Sequence, residues 1–344
     1  MNYKKEIKTP LEQALQYKNL EKQDVCSVLS AFFDDVIASE DMKDFLVALY
    51  KKGETAEELS GAIEAIKQRA KLINTDYDLF DCCGTGGDGM HSYNISTTVA
   101  FILSAAGIKI AKHGNRASTS KCGSADVLEA LNVNINADET LQQKSLEQTN
   151  ICFLLAPLYH SSLVKAAPIR KSLEHRTIFN LIGPMANPAQ AKNQIIGVFD
   201  EKWLHPLCDA LIDLGHKKIA IVHSHDGFDE ISIFAPTSCV YYDGKAKHLI
   251  TIHPEDFGIK DHDPDTIKGG DANYNANAFY DLLKGERVDE LSAYSDMVCL
   301  NAAFPLFMMG LAETTKDGFD LAKQILSSGK ALEHFERFRE ALNS

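Results

Sequence analysis

The sequence predicts an α/β protein in two parts: a small helical N-terminal domain, then a large α/β domain with a mostly parallel central sheet. Three observations predict it. Up to about residue 72 the apolar residues recur only at helical spacing. From about residue 76 short β-branched runs alternate with helical runs, the pattern of a parallel sheet covered on both faces. The first of those runs ends in Gly84-Thr85-Gly86-Gly87-Asp88-Gly89, a glycine turn leading straight into a helix.

In the helical part, Thr9-Pro10-Leu11-Glu12 reads as a capping box with proline at the first helical position, and Thr55-Ala56-Glu57-Glu58 as a second. Between them Val25 to Ala38 and Met42 to Tyr50 have helical spacing, and Gly53 closes the latter, giving four short helices without catalytic groups. The expected strands are Leu79 to Cys83, Ile108 to Ala111, Ile151 to Leu155, Ile195 to Phe199, Ile219 to His223 and Val240 to Tyr242. The expected helices are Thr97 to Ala106, Ala125 to Leu131, Glu139 to Gln148, Leu163 to Leu173, Lys202 to Leu214, Ala276 to Leu283 and Ser292 to Gly310, with one or two more from Phe319 to Asn343. Pro254 to Tyr274, rich in Asp, Gly and His, reads as a surface excursion.

Composition bounds the function. At 344 residues, 45% hydrophobic and 24% charged, the chain reads as an ordinary globular protein with a sizeable core. A net charge of −13 argues against nucleic-acid or anionic-membrane partners, so an anionic substrate needs a local basic site. No stretch reaches about 18 uninterrupted apolar residues, and the start lacks a signal-peptide core. The eight cysteines lack paired spacing, which argues against a disulfide framework or zinc site and for a reducing cytoplasm. Adjacent Cys82 and Cys83 read as packing residues, with oxidation sensitivity near the site as the alternative.

The glycine turn favours an anion, because unhindered N–H groups and a helix N-terminus converge there. Residues 84 to 89 match the dinucleotide pattern Gly-x-Gly-x-x-Gly, but the next strand ends in Lys112 and His113 rather than leading to a ribose-binding acid. Asp88 inside the turn would repel a bare diphosphate, which points to a magnesium-escorted phosphate or a sugar diphosphate. Downstream, residues 112 to 126 pack cations, glycines and hydroxyls together. Lys112 and Arg116 read as charged donors, Ser118, Thr119 and Ser120 as hydroxyl donors, and Ser124 as a helix cap. Two such loops after consecutive strands imply a ligand with two phosphate groups.

Gly84 to Gly89, Asn94-Ile95-Ser96-Thr97, Lys112 to Arg116 and Gly123 to Asp126 resemble the signature segments of the anthranilate phosphoribosyltransferases. Ala156-Pro157, Tyr159-His160, Pro168-Ile169-Arg170, Arg176 to Pro184, Asn187-Pro188 and Asp229-Glu230 extend the resemblance over nearly the whole chain. It implies a fold of the nucleoside phosphorylase and phosphoribosyltransferase type. It also implies a helical domain of residues 1–72 to which 160–190 return, an α/β domain of 73–159 and 191–344, and a homodimer through the helical domain.

The implied reaction moves the phosphoribosyl group of 5-phosphoribosyl 1-pyrophosphate to the amine of anthranilate, the second step of tryptophan biosynthesis from chorismate. The aniline nitrogen is already neutral at pH 7, so no strong general base and no covalent nucleophile are expected. The implied donor-binding residues are Gly84, Thr85, Gly87, Asp88, Ser92, Asn94, Ile95, Ser96, Thr97, Lys112, His113, Gly114, Asn115, Arg116, Ser118, Thr119, Ser120 and Ser124. Anthranilate falls to Gly84, Asn115 and Arg170, with His113, Pro157 and His160 as walls. Ser96, Asp229 and Glu230 are the implied ligands for magnesium, two ions accompanying the diphosphate. A histidine metal site at His223, Ser224 and His225 is disfavoured.

The competing readings are a pyrimidine nucleoside phosphorylase and a non-catalytic nucleic-acid-binding relative, with a dinucleotide-dependent dehydrogenase behind them. The Lys112-to-Arg116 segment and Asp229-Glu230 oppose the first, and the acidic charge opposes the second. The resemblance leaves association with anthranilate synthase open.

Overall fold

The computed structural model describes residues 7–117 and 121–344. Four helices open the described chain: α1 (Lys8–Leu15), α2 (Lys22–Phe33), α3 (Ser39–Lys52) and α4 (Ala56–Lys67). The Thr55 box forms as expected, with Thr55 Oγ1 accepting from Glu58 N–H and the Glu58 carboxylate from Thr55 N–H. Glu58 is also bound by Lys52 at 2.7 Å and by the Leu20 N–H at 2.9 Å, so this fully buried acid ties the α3–α4 connection to the entry of α2. Gly53 closes α3 at φ 85°, a conformation glycine adopts without strain. The Thr9 box does not form: α1 starts earlier, at Lys8, and leaves Thr9 and Pro10 inside its first turn.

The α/β part holds one seven-stranded sheet in the order β3-β2-β1-β4-β5-β6-β7. Its strands are β1 (Phe80–Gly84), β2 (Ile110–Gly114), β3 (Ile151–Leu155), β4 (Asn193–Gly197), β5 (Lys218–Ser224), β6 (Thr237–Tyr242) and β7 (Lys247–Ile252). The first five pair parallel, β6 pairs antiparallel to β5, and β7 pairs antiparallel to β6. Successive strands step outward from β1 on one side and from β4 on the other, so the winding reverses between β1 and β4. In open sheets of this kind, ligands bind beyond the strands' carboxyl ends at such a reversal. Strand β7 has no counterpart among the expected strands. It is a mostly exposed edge strand with Leu249 66% accessible, so it lacks the apolar alternation of a buried one.

Helices α5 (Ile95–Ala105), α6 (Ser124–Ala130), α7 (Glu139–Thr149), α12 (Ala272–Lys284), α13 (Ser292–Met308), α14 (Thr315–Ser327) and α15 (Lys330–Asn343) belong to this part. Most of them, with one sheet face, form an apolar cluster centred on Phe101, Phe279, Phe304, Phe335 and Phe338. On the other face, α11 (Leu204–Asp213) packs in one cluster with the four N-terminal helices. That cluster also takes in residues of α9 (Leu163–Ser172) and α10 (Ile178–Ile182), which follow the short α8 (Ala156–Tyr159). The 160–190 segment therefore shares a core with the helical module.

The stretch 254–274 does more than cover the surface. Ile267 is buried and accepts the Tyr93 N–H, Lys268 bridges Ser92, and Gly269 N–H reaches His91. The excursion thus braces the segment leaving the glycine turn. No helix among the described residues is long and apolar enough to cross a membrane.

Candidate active site

The site is built where β1 and β4 end. Gly84 and Gly197 stand opposite each other at those ends, and Asp229 lies across both. A Cβ on Gly84 would come 2.3 Å from the Asp229 carboxylate, so the glycine lets that side chain approach the turn this closely. The Asp229 carboxylate accepts the Gly86 N–H at 2.7 Å, and the Thr85 N–H goes to the Gly197 carbonyl. The N–H groups of Gly87, Asp88 and Gly89 have no partner among the described residues, so three of the turn's amides stay available to an anion. Gly86, Gly87 and Gly89 have φ of 70°, 77° and 78°, which the turn needs to bring those amides round. Thr85 Oγ1 is buried without a partner among the described residues, a hydroxyl that a ligand would satisfy.

Three carboxylates meet here. Asp229 is 8% exposed and its carboxyl is pushed well above the usual range, first by burial and then by Asp88 and Glu230. Burial raises Glu230 to about 8, with Lys112 opposing and Asp88 adding. Among the described residues no three His, Cys, Asp or Glu side chains form a ready cage. Magnesium needs few protein ligands and keeps several waters, and a divalent cation would relieve the repulsion that raises these acids. The donor set therefore fits magnesium, with Asp229, Glu230 and the Ser96 hydroxyl as oxygen ligands.

Behind the turn, Lys112 is 3% exposed and its ammonium donates to the Cys82 carbonyl at 2.7 Å and to Ser96 Oγ at 3.3 Å. The charge lies under the site, joining β1, β2 and the first turn of α5. Buried Asp81 accepts from the His113 N–H at 3.3 Å and from Asn187 Nδ2 at 2.8 Å, and Asn187 also donates to the Ala111 carbonyl. Burial holds Asp81 up at about 6 against the pull of Lys112 and Asn187. Sequence reasoning gave neither Asp81 nor Asn187 a role; an acid inside an otherwise apolar strand is the signal that marks the first. Burial drives the Cys82 thiol up to about 12 and Cys83 well above its usual value, which fits packing rather than reactivity.

At the start of α5, Asn94 Oδ1 accepts from Asn275 Nδ2 at 2.9 Å, while its Nδ2 reaches the Cys122 carbonyl at 3.4 Å. Ile95 and Thr97 are buried, Ser92 and Ser96 half-buried. Asn275 is the clamp that sequence reasoning missed, lying 181 residues from its partner.

The second loop differs from its expectation. Arg116 is 48% exposed and held by Glu129 at 2.7 and 3.0 Å and by Asp126 at 3.3 Å, so its charge is already matched. Ser124 does not cap α6. The helix begins one residue earlier than expected with Gly123 at its N-cap, Asp126 accepts the Gly123 and Ala117 N–H groups, and Ser124 Oγ turns to the Asn115 backbone. Gly114 makes room for that, since a Cβ there would stand 2.3 Å from Ser124 Oγ. Ser118, Thr119 and Ser120 lie outside the described residues.

Of the expected acceptor residues, His113 and His160 come together, with ring centroids 5.1 Å apart. Both are buried, and burial holds them neutral, at about 3 and about 4 respectively. Asn115 and Pro157 are exposed. Arg170 is half-buried, its guanidinium makes no ion pair or hydrogen bond among the described residues, and burial lowers its pKa. A desolvated guanidinium without a counter-charge is a receptor for an anion. His223 gives Nδ1 to the Val198 carbonyl and His225 pairs with Ser238, so neither is arranged as a metal ligand.

Residues 76–332 match the model of the glycosyl transferase family a/b domain, and residues 8–70 that of the same family's helical bundle domain. An anthranilate phosphoribosyltransferase of Methanobrevibacter smithii is 41% identical over 90% of this chain and 93% of its own length. One of Caldanaerobacter subterraneus subsp. tengcongensis is 39% identical over 98% and 97%. The crystal structure of the Thermus thermophilus anthranilate phosphoribosyltransferase superposes with a TM-score of 0.90 at 34% identity, covering 97% of this chain and 99% of that one. The Saccharomyces cerevisiae enzyme in complex with PRPP and Mg matches with a TM-score of 0.88 at 25% identity, over 97% of each chain.

Proposed function

The chain belongs to the anthranilate phosphoribosyltransferase family, and we propose from that premise how its residues carry the family's reaction. It transfers the phosphoribosyl group of 5-phosphoribosyl 1-pyrophosphate to the amine of anthranilate, giving N-(5-phosphoribosyl)anthranilate and pyrophosphate in tryptophan biosynthesis. One observation carries the assignment of the donor site. Three carboxylates converge on the glycine turn that presents the free Gly87, Asp88 and Gly89 amides, at the point where the sheet's winding reverses. Acids over an anion cradle make sense when a cation lies between them and a diphosphate.

The diphosphate rests on those amides, and Asn94, Ser96 and Thr97 meet the ribose end, with Asn275 keeping Asn94 in place. Asp229, Glu230 and Ser96 would hold magnesium, two ions in all, whose charge would neutralise the leaving diphosphate. Lys112 supplies a fixed positive charge from beneath. Arg170 takes the anthranilate carboxylate, with Asn115, neutral His113 and His160, and Pro157 around the acceptor. These residues bind and orient; the amine nitrogen attacks ribose C1 with its own lone pair as the C1–O bond to pyrophosphate breaks, the negative charge develops against donors already in place, and the nitrogen then loses its proton to solvent.

The chain acts as a cytoplasmic homodimer paired through the helical module, a reading supported by exposed Leu15, Tyr17 and Val36 on that module. The 160–190 segment functions as part of it, supported by their common core.

Anthranilate's own fluorescence tests the reaction. Purified protein with phosphoribosyl pyrophosphate should quench the signal over minutes when magnesium is present and leave it unchanged when magnesium is omitted. Loss of that quenching under all conditions, with free base released from uridine or thymidine and phosphate, would move the chain to the phosphorylase reading.

A further inference from the structure

Arg176 has no task in the roles above, yet it spans the distance from the helical layer to the glycine turn. Its guanidinium donates to the Gly87 carbonyl and lies over the Phe199 ring, 3.5 Å from the centroid, just past the end of β4. Behind it, His175 stacks on Tyr50 of α3 with centroids 3.9 Å and planes 10° apart, and His175 Nδ1 lies 2.8 Å from the Arg176 carbonyl. One continuous set of contacts thus runs from α3 to the turn. A Cβ on Gly87 would stand 3.0 Å from the guanidinium, so the glycine serves the approach as well as the positive φ.

The Gly87 carbonyl and the Asp88 N–H belong to a single rigid peptide plane and point in opposite directions. A carbonyl turned into an anion cradle repels the anion; a carbonyl held outward turns the next N–H inward. The Asp88 N–H is one of the three amides without a partner among the described residues. We propose that Arg176 is a positioning residue for the diphosphate: it pins the Gly87 carbonyl so that the Asp88 N–H faces the anion, and it ties that setting to α3 through His175 and Tyr50. This rests on the donor site assigned above.

Calorimetry with magnesium pyrophosphate as probe, on the full chain, tests the inference without turnover. Arg176→Ala should weaken binding about tenfold, the scale of a lost charge-assisted hydrogen bond, while the KM for anthranilate stays unchanged. Arg176→Met, which keeps a long side chain beside Phe199 but no donor, should lose the same affinity, and Arg176→Lys should recover part of it. With magnesium pyrophosphate bound, amide exchange at Asp88 should be slowed in the parent and not in the alanine and methionine variants. Pyrophosphate affinity equal to wild type in Arg176→Met overturns the inference alone, as does a loss shared equally with anthranilate while Asp88 exchange is still slowed as in the parent. A wild-type chain that does not bind magnesium pyrophosphate overturns the donor site and this inference with it.

Discussion

The carbonyl oxygen of Asp229 lies 1.5 Å from the point that a Cβ on Gly197 would occupy. Backbone on backbone leaves no flexible atom to yield, so Gly197→Ala must displace the Asp229 loop from the end of β4. The expected result is a turnover lower by about 100-fold, the scale of a catalytic group moved by an ångström, with a stability loss of about 1–3 kcal/mol. Steady-state rates and urea unfolding check both. Wild-type turnover in this variant would mean that the loop need not rest there.

Arg170 offers an unmatched guanidinium, so its loss should be felt by the acceptor alone. Arg170→Ala should raise the KM for anthranilate by about one to two orders of magnitude and leave that for phosphoribosyl pyrophosphate in place. An unchanged anthranilate KM removes Arg170 from the site.

Asp229 and Glu230 repel each other and Asp88. Chelation of magnesium should therefore abolish turnover reversibly. Replacing both residues with alanine should remove most turnover while the chain still folds, since relief of the repulsion offsets loss of the Gly86 N–H bond to Asp229. Magnesium should raise the melting temperature of the parent and not of the variant; equal stabilisation of the two sinks the metal assignment.

His216, away from the site, tests the electrostatics of the shared core. Burial holds it at about 3, with Lys67 and Lys192 adding to the effect. Its unfolded value is near 6.5, so the unfolded chain takes up the proton first as pH falls. The stability from keeping it neutral is complete above about pH 6.5 and is lost progressively below it, at up to about 1.4 kcal/mol per pH unit. His216→Gln should flatten the fall in stability between pH 6.5 and 4. The difference between the two chains isolates the histidine, because buried acids such as Asp81 change in the opposite sense in both. Parallel curves would refute the assignment.

Much of this was legible in the residues because local chemistry decided it. The Thr55 box, the Gly53 stop and Ile151–Leu155 follow from a few neighbouring side chains, and the structure keeps them. Strand β7 escaped because an exposed edge strand need not alternate, although the Asp243-Gly244 turn before it is a hairpin signal. The clamp of Asn275 on Asn94, the grip of Asn187 on Asp81 and the closeness of Gly197 to Asp229 depend on pairings made only in the folded chain. Lys112 and Arg116 carry the residue types of phosphate donors. Which of them is sunk beneath the turn and which is matched by Glu129 depends on strand burial and helix register, which types alone do not specify.

The contact between Gly86 and Asp229 spans 143 residues. During synthesis the glycine turn emerges long before its acidic partner, and the site stays incomplete until β4 and β5 have joined the growing sheet. A chain released before residue 229 would lack the carboxylate that receives the Gly86 N–H, and with it the contact that seats the glycine turn against the end of β4.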